Sequence, residues 1–496
     1  MIPIHEEDPM PQNSFFGTDG IRGKVGTHPL VPEFVLRLGL AAGSVLAQEN
    51  GKTVVIGRDT RGSGPMLQSA LTAGLLAAGM AVVDVGVITT PGVAYLVRQL
   101  GAVAGVVISA SHNPFQENGI KFFDQSGFKL PEAIEAQIEA LLADDTWQPQ
   151  PPEAYGRMID GRQMQEFYIE SLVNEHPGLQ LNHLSIVLDC ANGAAYWIGP
   201  EAISRLGAKL VTIHASPTGL NINETCGSEF ARKNPQDVGR LLQEYKADFA
   251  IAFDGDADRV VFVDELGNLV DGDAMLALLA RYFDQKGQLV GRALVTTPMR
   301  NQGMCDFAVQ NGLTVHEVPV GDRNVVEKLL ELRAASPNRY ALGAEQAGHV
   351  AIVDAASDGR GGHTTGDGIR TALFLMRVYA ESGARSFSEF TAIIRKTPQV
   401  IASAFVGHGP RLEKEELAAM RDAYMAKHPA LTRVNLRYSG TEPLFRAMLE
   451  GNLSMTEQAL ANIAGEICRK LQTTAGAEGG KLEILNTTRG GILEPE

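Results

Sequence analysis

Three aspartates alternate with small residues at positions 254, 256 and 258, between two apolar runs with the length and composition of buried strands. A turn between those strands would hold the three carboxylates close together, where their repulsion raises their pKa values. A divalent cation with oxygen ligands, of which Mg²⁺ fits best, stabilises such a cluster. We therefore predict a metal site at Asp254, Asp256 and Asp258, with a solvated acidic turn as the alternative.

The same segment does not fit a calcium loop of the EF-hand type. The aspartates take its first, third and fifth positions and Glu265 takes the twelfth, but the sixth position, which requires glycine, is Arg259. A guanidinium beside the acids suits a bound phosphate instead.

A second loop, residues 109–114, places two serines beside a histidine, an asparagine and a proline. It follows an apolar run, Ala104–Ile108, that predicts a buried strand. One interpretation is a serine that carries a group in covalent catalysis, and the alternative is a turn whose hydroxyls bind their own backbone. A hydrolytic triad is disfavoured, because Ser111 and His112 are adjacent and no Gly-x-Ser-x-Gly motif surrounds either serine.

Further polar side chains stand in Gly-containing segments. Arg22 is flanked by glycines, Lys121 follows the serine loop, and residues 437–446 combine two arginines with Ser and Thr hydroxyls. This last cluster predicts a phosphate cradle rather than a P-loop, with a Gly-Pro turn carrying surface arginines as the alternative. Glu345 and His349 bracket another turn, in which Glu345 either accepts hydrogen bonds from sugar hydroxyls or starts a helix.

The elements that must position these loops repeat three times. Each unit has a strand pattern, a loop, a helical stretch and two further strands, which implies parallel sheets covered by helices. The third strand of each unit leads into a loop with polar side chains that could do chemistry, and these three loops are 109–114, 254–259 and 343–349. Since ligands collect beyond the carboxyl ends of strands in open α/β sheets, we expect the three loops to face one cleft.

We predict an α/β protein with three similar mixed α/β domains and a smaller α+β C-terminal domain around a central cleft. The predicted bounds are 1–155, 156–266, 267–385 and 386–496. A Pro-rich segment at 143–153 separates the first two domains, and residues 473–496, rich in Gly and Thr, are expected to form a loose tail.

Composition and charge exclude several classes of protein. The 496-residue chain has 43 basic and 58 acidic residues, a net charge of −15, which argues against nucleic acid or an anionic membrane as the main partner. Its four cysteines form no Cys-x-x-Cys pair, as is typical of reduced thiols in the cytoplasm. The uncharged stretch 62–83 has the length of a membrane span, but Pro65 and Gly79 interrupt it, so we predict a buried helix and a strand.

Four ordered motifs, at 109–114, 254–259, 343–349 and 437–443, identify residues 15–451 as similar to the α-D-phosphohexomutases. The resemblance implies interconversion of sugar 1-phosphates and 6-phosphates through a phosphorylated Ser111 and a bisphosphorylated sugar, which also serves as activator. It implies one Mg²⁺ held by the Ser111 phosphate with Asp254, Asp256 and Asp258. The other implied roles are contact with the reacting phosphoryl group for Arg22 and Lys121, and proton transfer for Lys121 or His349. Glu345 would bind the sugar, and the residues that would bind the distal phosphate are Arg437, Ser439, Thr441 and Arg446.

Motifs such as Glu345-Gln346 favour glucosamine 6-phosphate and glucosamine 1-phosphate as substrates, with neutral hexose phosphates as the alternative. Ala347 departs from the usual serine of the sugar loop and removes one hydroxyl, and Glu229-Phe230 replaces the usual Thr-His. A non-catalytic sugar-phosphate sensor with the same fold is a third hypothesis. The expected protein is cytoplasmic, has a sugar phosphate as its partner, and has a homodimer as a possible assembly.

Overall fold

The computed structural model describes residues 15–17, 19–47, 51–144, 150–334, 336, 340–354, 362–407, 409–439 and 443–495. Within these ranges the strands form four sheets, which with their helices we call the first to fourth units. The predicted fold class, three similar mixed α/β units and a smaller α+β unit, is confirmed.

The first unit has the strand order β1-β5-β4-β2-β3-β6, in which β5 is antiparallel to both of its neighbours and the strands from β4 to β6 are parallel. Its strands are β1 (Ile21–Lys24), β2 (Thr53–Arg58), β3 (Ala81–Val87), β4 (Ala104–Ile108), β5 (Glu117–Asp124) and β6 (Met158–Asp160). Its helices are α1 (Pro32–Leu46), α2 (Gly64–Ala77), α3 (Thr90–Leu100) and α4 (Glu132–Ala143). The uncharged stretch 62–83 forms α2 and the start of β3, as predicted.

The second and third units repeat the central part of this arrangement, with strand orders β11-β10-β9-β7-β8 and β13-β12-β14-β15. The second unit contains β7 (Ser185–Asp189), β8 (Lys209–Ile213), β9 (Phe249–Phe253), β10 (Val260–Asp264), β11 (Leu269–Val270), α5 (Gln165–Asn174), α6 (Ala195–Ser204), α7 (Gly227–Lys233) and α8 (Pro235–Tyr245). The third contains β12 (Leu289–Thr296), β13 (Thr314–Glu317), β14 (Tyr340–Ala344), β15 (Val350–Val353), α9 (Gly272–Gln285), α10 (Gln302–Gln310), α11 (Asp322–Ala334), α12 (Gly368–Ser382) and α13 (Phe387–Thr391).

A reversing loop occupies the same place in each of these three units. It joins the antiparallel pairs β4 and β5, β9 and β10, and β14 and β15, whereas the strands before it are parallel. The expectation of parallel sheets is therefore confirmed for the strands before each loop and wrong for the strand after it. The loops, 109–116, 254–259 and 345–349, are too short for a parallel crossover, which needs about a dozen residues.

The fourth unit is an antiparallel sheet with the order β17-β18-β16-β19-β20. It contains β16 (Gln399–Phe405), β17 (Leu431–Tyr438), β18 (Leu444–Gly451), β19 (Leu482–Asn486), β20 (Ile492–Leu493), α14 (Lys414–Lys427) and α15 (Glu457–Thr474). The prediction of a loose tail at 473–496 was wrong, because β19 pairs with β16 and buries Ile484 and Leu485. The glycines, with Thr487 and Thr488, lie in the connections on either side of this strand, whereas Thr473 and Thr474 end α15.

Apolar side chains from the first three units merge into one core, which contains Val107, Ile186 and Leu294. A buried polar pair also joins the second unit to the third: the Tyr168 hydroxyl donates to Asp367 at 2.8 Å. The three reversing loops are therefore held against one another by packed elements rather than by flexible linkers. Within the described part of the chain, no helix has the length and apolar character that crossing a membrane requires.

Candidate active site

Ser111 lies in the loop after β4, with its hydroxyl against the carboxylate of Asp254. The residue is only 1% exposed, and its Oγ donates to Oδ2 of Asp254 at 2.5 Å. Its φ of 51° is in the left-handed region, so the loop turns tightly at this point. A Cβ on Gly255 would lie 2.4 Å from the Ser111 carbonyl oxygen, so only glycine allows the two loops to approach this closely.

Four side chains fix this loop. Arg61 is buried, pairs with Asp59, and donates to the Ser111 carbonyl at 3.2 Å. Asn223 of the second unit donates to the same carbonyl at 2.9 Å. Ser109 donates to Asp59 at 2.6 Å and accepts the Ser111 backbone N–H at 3.0 Å. Ser109 therefore supports the loop, while Ser111 faces the acids.

Asp254, Asp256 and Asp258 form a buried cluster whose carboxylate oxygens lie within 4.8 Å of one another. Their burial excludes a solvated acidic turn. Burial, and then the neighbouring carboxylates, raise the pKa of Asp254 well above its ordinary value and raise that of Asp258 as well. Burial also acts to raise the pKa of Asp256, but Lys121 and Thr90 lower it overall.

The donor set of this cluster fits a hard divalent cation. Oδ1 of Asp256 and Oδ1 of Asp258 are buried, and no group in the described ranges donates a hydrogen bond to either. Buried carboxylate oxygens without partners are costly unless a cation compensates them. All three ligands offer oxygen, which is the preference of Mg²⁺.

Arg22 and Lys121 bring positive charge to the same place. Lys121 Nζ lies 3.0 Å from Asp256 Oδ2 and 3.2 Å from Asp19 Oδ2. Burial acts to lower the pKa of Lys121, but these acids outweigh it and raise the pKa, so the side chain remains an ammonium. Arg22 pairs with Asp19 and donates to the Ala110 carbonyl at 3.4 Å, beside the serine loop.

His112 and Arg259 lie on another side of Ser111. Nδ1 of His112 is 3.4 Å from Ser111 Oγ and 3.3 Å from a guanidinium nitrogen of Arg259. Burial, and then Arg259, lower the pKa of His112 to about 3, so the ring is neutral at pH 7. A neutral Nδ1 can accept from Arg259 and hold its guanidinium toward the serine.

The loop after β14 carries Glu345 and His349 to the aspartate loop. His349 forms a β-bridge with Arg259, and the residue is 2% exposed. Neither of its ring nitrogens has a hydrogen-bond partner in the part of the chain that the structure covers. Glu345 accepts the Gly321 N–H at 3.2 Å, and its charge acts on both Arg259 and Arg437. Glu345 therefore lies between the second and fourth units.

Arg437 and Arg446 are register partners on β17 and β18. Burial, and then the neighbouring Arg446, lower the pKa of Arg437. Two guanidiniums side by side repel unless an anion lies between them, which fits a phosphate. Ser439 is buried just after β17. Thr441, the remaining predicted member of this cradle, lies outside the described residues.

The structure thus brings Ser111, the three aspartates, Arg22, Lys121, Glu345 and His349 together, with the Arg437–Arg446 pair facing Glu345 from the fourth unit. Sequence reasoning noted Arg259 and placed His112 in the serine loop, but it assigned no supporting role to Asp19, Asp59, Arg61, His112 or Asn223. The loop after β2, which carries Asp59 and Arg61, offered a signal, since β2 runs parallel to β4 and ends at the same edge.

This arrangement matches one protein family. Family models described as "Phosphoglucomutase/phosphomannomutase, alpha/beta/alpha domain" I, II and III match residues 13–149, 166–267 and 271–397. The matching family models and sequence relatives define an isomerase that relocates a phosphoryl group within a sugar phosphate. The chain belongs to the phosphoglucomutase/phosphomannomutase family, the phosphohexomutases.

Relatives in sequence span nearly the whole chain. Phosphoglucosamine mutase of Serratia proteamaculans is 44% identical over 459 residues, covering 91% of this chain and 98% of the relative. Phosphoglucosamine mutase of Nitratidesulfovibrio vulgaris is 42% identical over 462 residues, covering 92% and 98%.

Solved structures share the fold. A phosphoglucomutase/phosphomannomutase family protein from Burkholderia thailandensis superimposes with a TM-score of 0.72 at 24% identity. The match covers 95% of this chain and 100% of that protein. The N-acetylphosphoglucosamine mutase of Aspergillus fumigatus, in complex with GlcNAc-6P and magnesium, gives a TM-score of 0.62 at 17% identity, covering 95% and 97%.

Proposed function

We propose that this enzyme interconverts glucosamine 6-phosphate and glucosamine 1-phosphate, with Ser111 as the residue that carries the phosphoryl group. The observation that carries the proposal is the 2.5 Å hydrogen bond from the Ser111 hydroxyl to Asp254, inside a buried cluster of three aspartates. The phosphoglucosamine mutases that are 42% and 44% identical support the choice of sugar.

In the proposed reaction, the bond from phosphorus to Ser111 Oγ breaks while a bond forms from phosphorus to a hydroxyl oxygen of the sugar monophosphate, which gives a bisphosphate. Arg22, Lys121 and Arg259 supply fixed positive charge around the transferring group. A Mg²⁺ held by the three aspartates and the Ser111 phosphate would supply further neutralisation of the phosphoryl oxygens.

Two residues, Lys121 and His349, are candidates for proton transfer. Lys121 is held as an ammonium by Asp19 and Asp256, so it donates hydrogen bonds and does not act as the base. We assign acceptance of the sugar hydroxyl proton to His349, which is buried beside the aspartate loop with both ring nitrogens unengaged among the described residues.

The other end of the substrate would lie against the fourth unit. Glu345 binds sugar hydroxyls, and the cradle of Arg437, Ser439, Thr441 and Arg446 grips the distal phosphate. The bisphosphate then turns over and returns its other phosphate to Ser111, so the cradle must lie about one hexose from the serine. The bounds proposed for the four domains remain 1–155, 156–266, 267–385 and 386–496. Two strands cross these bounds: β6 pairs with β3 of the first unit, and β11 pairs with β10 of the second.

The test compares kcat/KM for glucosamine 6-phosphate, glucose 6-phosphate and mannose 6-phosphate, with Mg²⁺ and a bisphosphorylated sugar present. We expect the amino sugar to be preferred, and peptide mapping to locate phosphate on Ser111. A preference for a neutral hexose would overturn the proposed sugar. Tight substrate binding without turnover would instead favour the sensor hypothesis.

A further inference from the structure

A second cluster of metal-ligating side chains lies in the second unit, separate from the three aspartates. The ligand atoms of Asp189, His214 and Cys226 all lie within 4.8 Å of one another. Asp189 ends β7, His214 follows β8, and Cys226 directly precedes α7, so three separate elements converge here. We propose that these three side chains form a site for one thiophilic divalent cation of the Zn²⁺ class.

The imidazole of His214 points Nδ1 into this cluster. Its Nδ1 is buried and lies 3.1 Å from Oδ1 of Asp189, with which it forms an ion pair when the ring is protonated. The side chain as a whole is 37% exposed, so the cluster can be reached from solvent. A water molecule from that side could complete a tetrahedral set, as in zinc sites with three protein ligands.

The spacing requires little movement. Zinc bonds of about 2.0–2.3 Å to oxygen, nitrogen and sulfur place tetrahedral ligands roughly 3.3–3.8 Å apart. The three ligand atoms already lie within 4.8 Å of one another, so each pair needs to close by at most about 1.5 Å. One carboxylate, one imidazole and one thiolate together favour Zn²⁺ over Mg²⁺, because Mg²⁺ prefers oxygen ligands alone.

Neighbouring groups already orient the ligands. Asp189 accepts the backbone N–H groups of Ala191 and Gly227, each at 2.8 Å, which fixes its carboxylate. The side-chain amide of Asn192 lies 4.0 Å from Cys226 Sγ, where it can donate to a thiolate. Such outer partners commonly hold metal ligands in place. Binding requires the thiolate, so the Cys226 proton is released to solvent as the sulfur–metal bond forms.

The site has a structural consequence for the loop that carries Ser111. Residues 215–225 connect His214 to Cys226, and Asn223 in this segment donates to the Ser111 carbonyl at 2.9 Å. A cation bound at both ends would close the segment into a short loop and limit its motion. The cation would therefore act on the position of Asn223, at a distance from the reacting atoms.

Cobalt(II) provides a test that involves no sugar and so stands apart from the proposed reaction. The full-length enzyme is saturated with Mg²⁺ and then titrated with Co²⁺. We expect one equivalent of Co²⁺ to produce a thiolate-to-cobalt charge-transfer band in the near ultraviolet. The aspartate cluster contains no sulfur and cannot give this band. Zn²⁺ added afterwards should displace the cobalt and remove the band.

Variants assign the band to its ligands. Cys226→Ser and His214→Gln should abolish it, whereas Cys305→Ser, which changes a buried cysteine outside the cluster, should keep it. Circular dichroism of each metal-free variant shows whether it has folded. Native mass spectrometry of the wild type with Zn²⁺ gives the second measurement, with one retained zinc expected. Absence of a band at one equivalent, or a band that survives in folded Cys226→Ser, would overturn the proposal.

Discussion

Lys129 joins the first unit to the third, since its Nζ lies 2.6 Å from Oδ1 of Asp322 and 2.9 Å from Oδ1 of Asp19. Asp19 in turn pairs with Arg22 and lies 3.2 Å from Nζ of Lys121. A continuous row of alternating charges therefore runs from the start of α11 to the cations of the candidate active site. The row couples the position of the third unit to the charges around the serine.

Replacing Lys129 with methionine should interrupt this row. The change leaves Asp19 and Asp322 partly uncompensated, which is costly for groups of low exposure. We expect kcat/KM to fall about tenfold, or ~1.4 kcal/mol, with most of the effect in KM. The matched control is Arg323→Gln, which removes a 2.9 Å pair with Glu135 across the same seam. Equal losses in the two variants would contradict a specific role for the charge row.

Ser111→Ala should abolish turnover while the protein stays folded. The hydroxyl carries the transferred group, whereas a serine in a loop contributes little to core packing. Ser109→Ala is the companion variant, since Ser109 supports the loop through Asp59 and should lose only part of the activity. Steady-state assays and melting temperatures measure both effects. Substantial activity in folded Ser111→Ala would point to another nucleophile.

The effect of Mg²⁺ on stability should depend on pH. Without a cation, the raised pKa values of Asp254 and Asp258 mean that the folded state holds protons that the unfolded state has lost. Their contribution therefore favours folding at low pH and is lost as pH rises through the raised values. A bound cation removes the repulsion, so Mg²⁺ should raise the melting temperature more at pH 8 than at pH 5.5. Asp258→Asn should weaken this response, and a shift independent of pH would count against the site.

Arg437→Gln should weaken the binding of sugar phosphates. The two guanidiniums are neighbours across β17 and β18, so loss of one removes charge-assisted hydrogen bonds to a phosphate held by both. We expect KM to rise roughly tenfold or more. Stabilisation by inorganic phosphate, measured by thermal shift, should shrink in the same variant. Arg421→Gln, a change at an exposed position, serves as the control and should leave both quantities unchanged.

His176 should make the stability of the protein sensitive to acid. It packs against Phe374, and burial, then Arg377 and Arg370, lower its pKa to about 3. The unfolded chain binds this proton near pH 6.5, so stability falls as pH drops below that value, by up to ~1.4 kcal/mol per pH unit. His176→Leu should flatten the dependence between pH 7 and pH 5 in urea unfolding. An unchanged slope would show that other groups dominate.

Local sequence patterns were sufficient to locate those features that depend only on neighbouring residues along the chain. Apolar runs ending in polar loops located the strands before Ser111, Asp254 and Glu345, because a buried strand needs continuous apolar side chains. The reversed direction of the strand after each loop was missed, since strand patterns do not encode direction. The strand Leu482–Asn486 was hidden by the Gly and Thr residues on either side of it.

The sequence by itself determined the fold class, the three loops with reactive side chains at 109–114, 254–259 and 343–349, and the chemistry that these side chains can perform. These features follow from residue type and short-range periodicity. Tertiary structure alone decided that Arg61 and Asn223 hold the Ser111 loop, and that His214 and Cys226 converge on Asp189. Those contacts join residues far apart in the chain, so they depend on how the sheets pack and on which backbone groups remain to be satisfied.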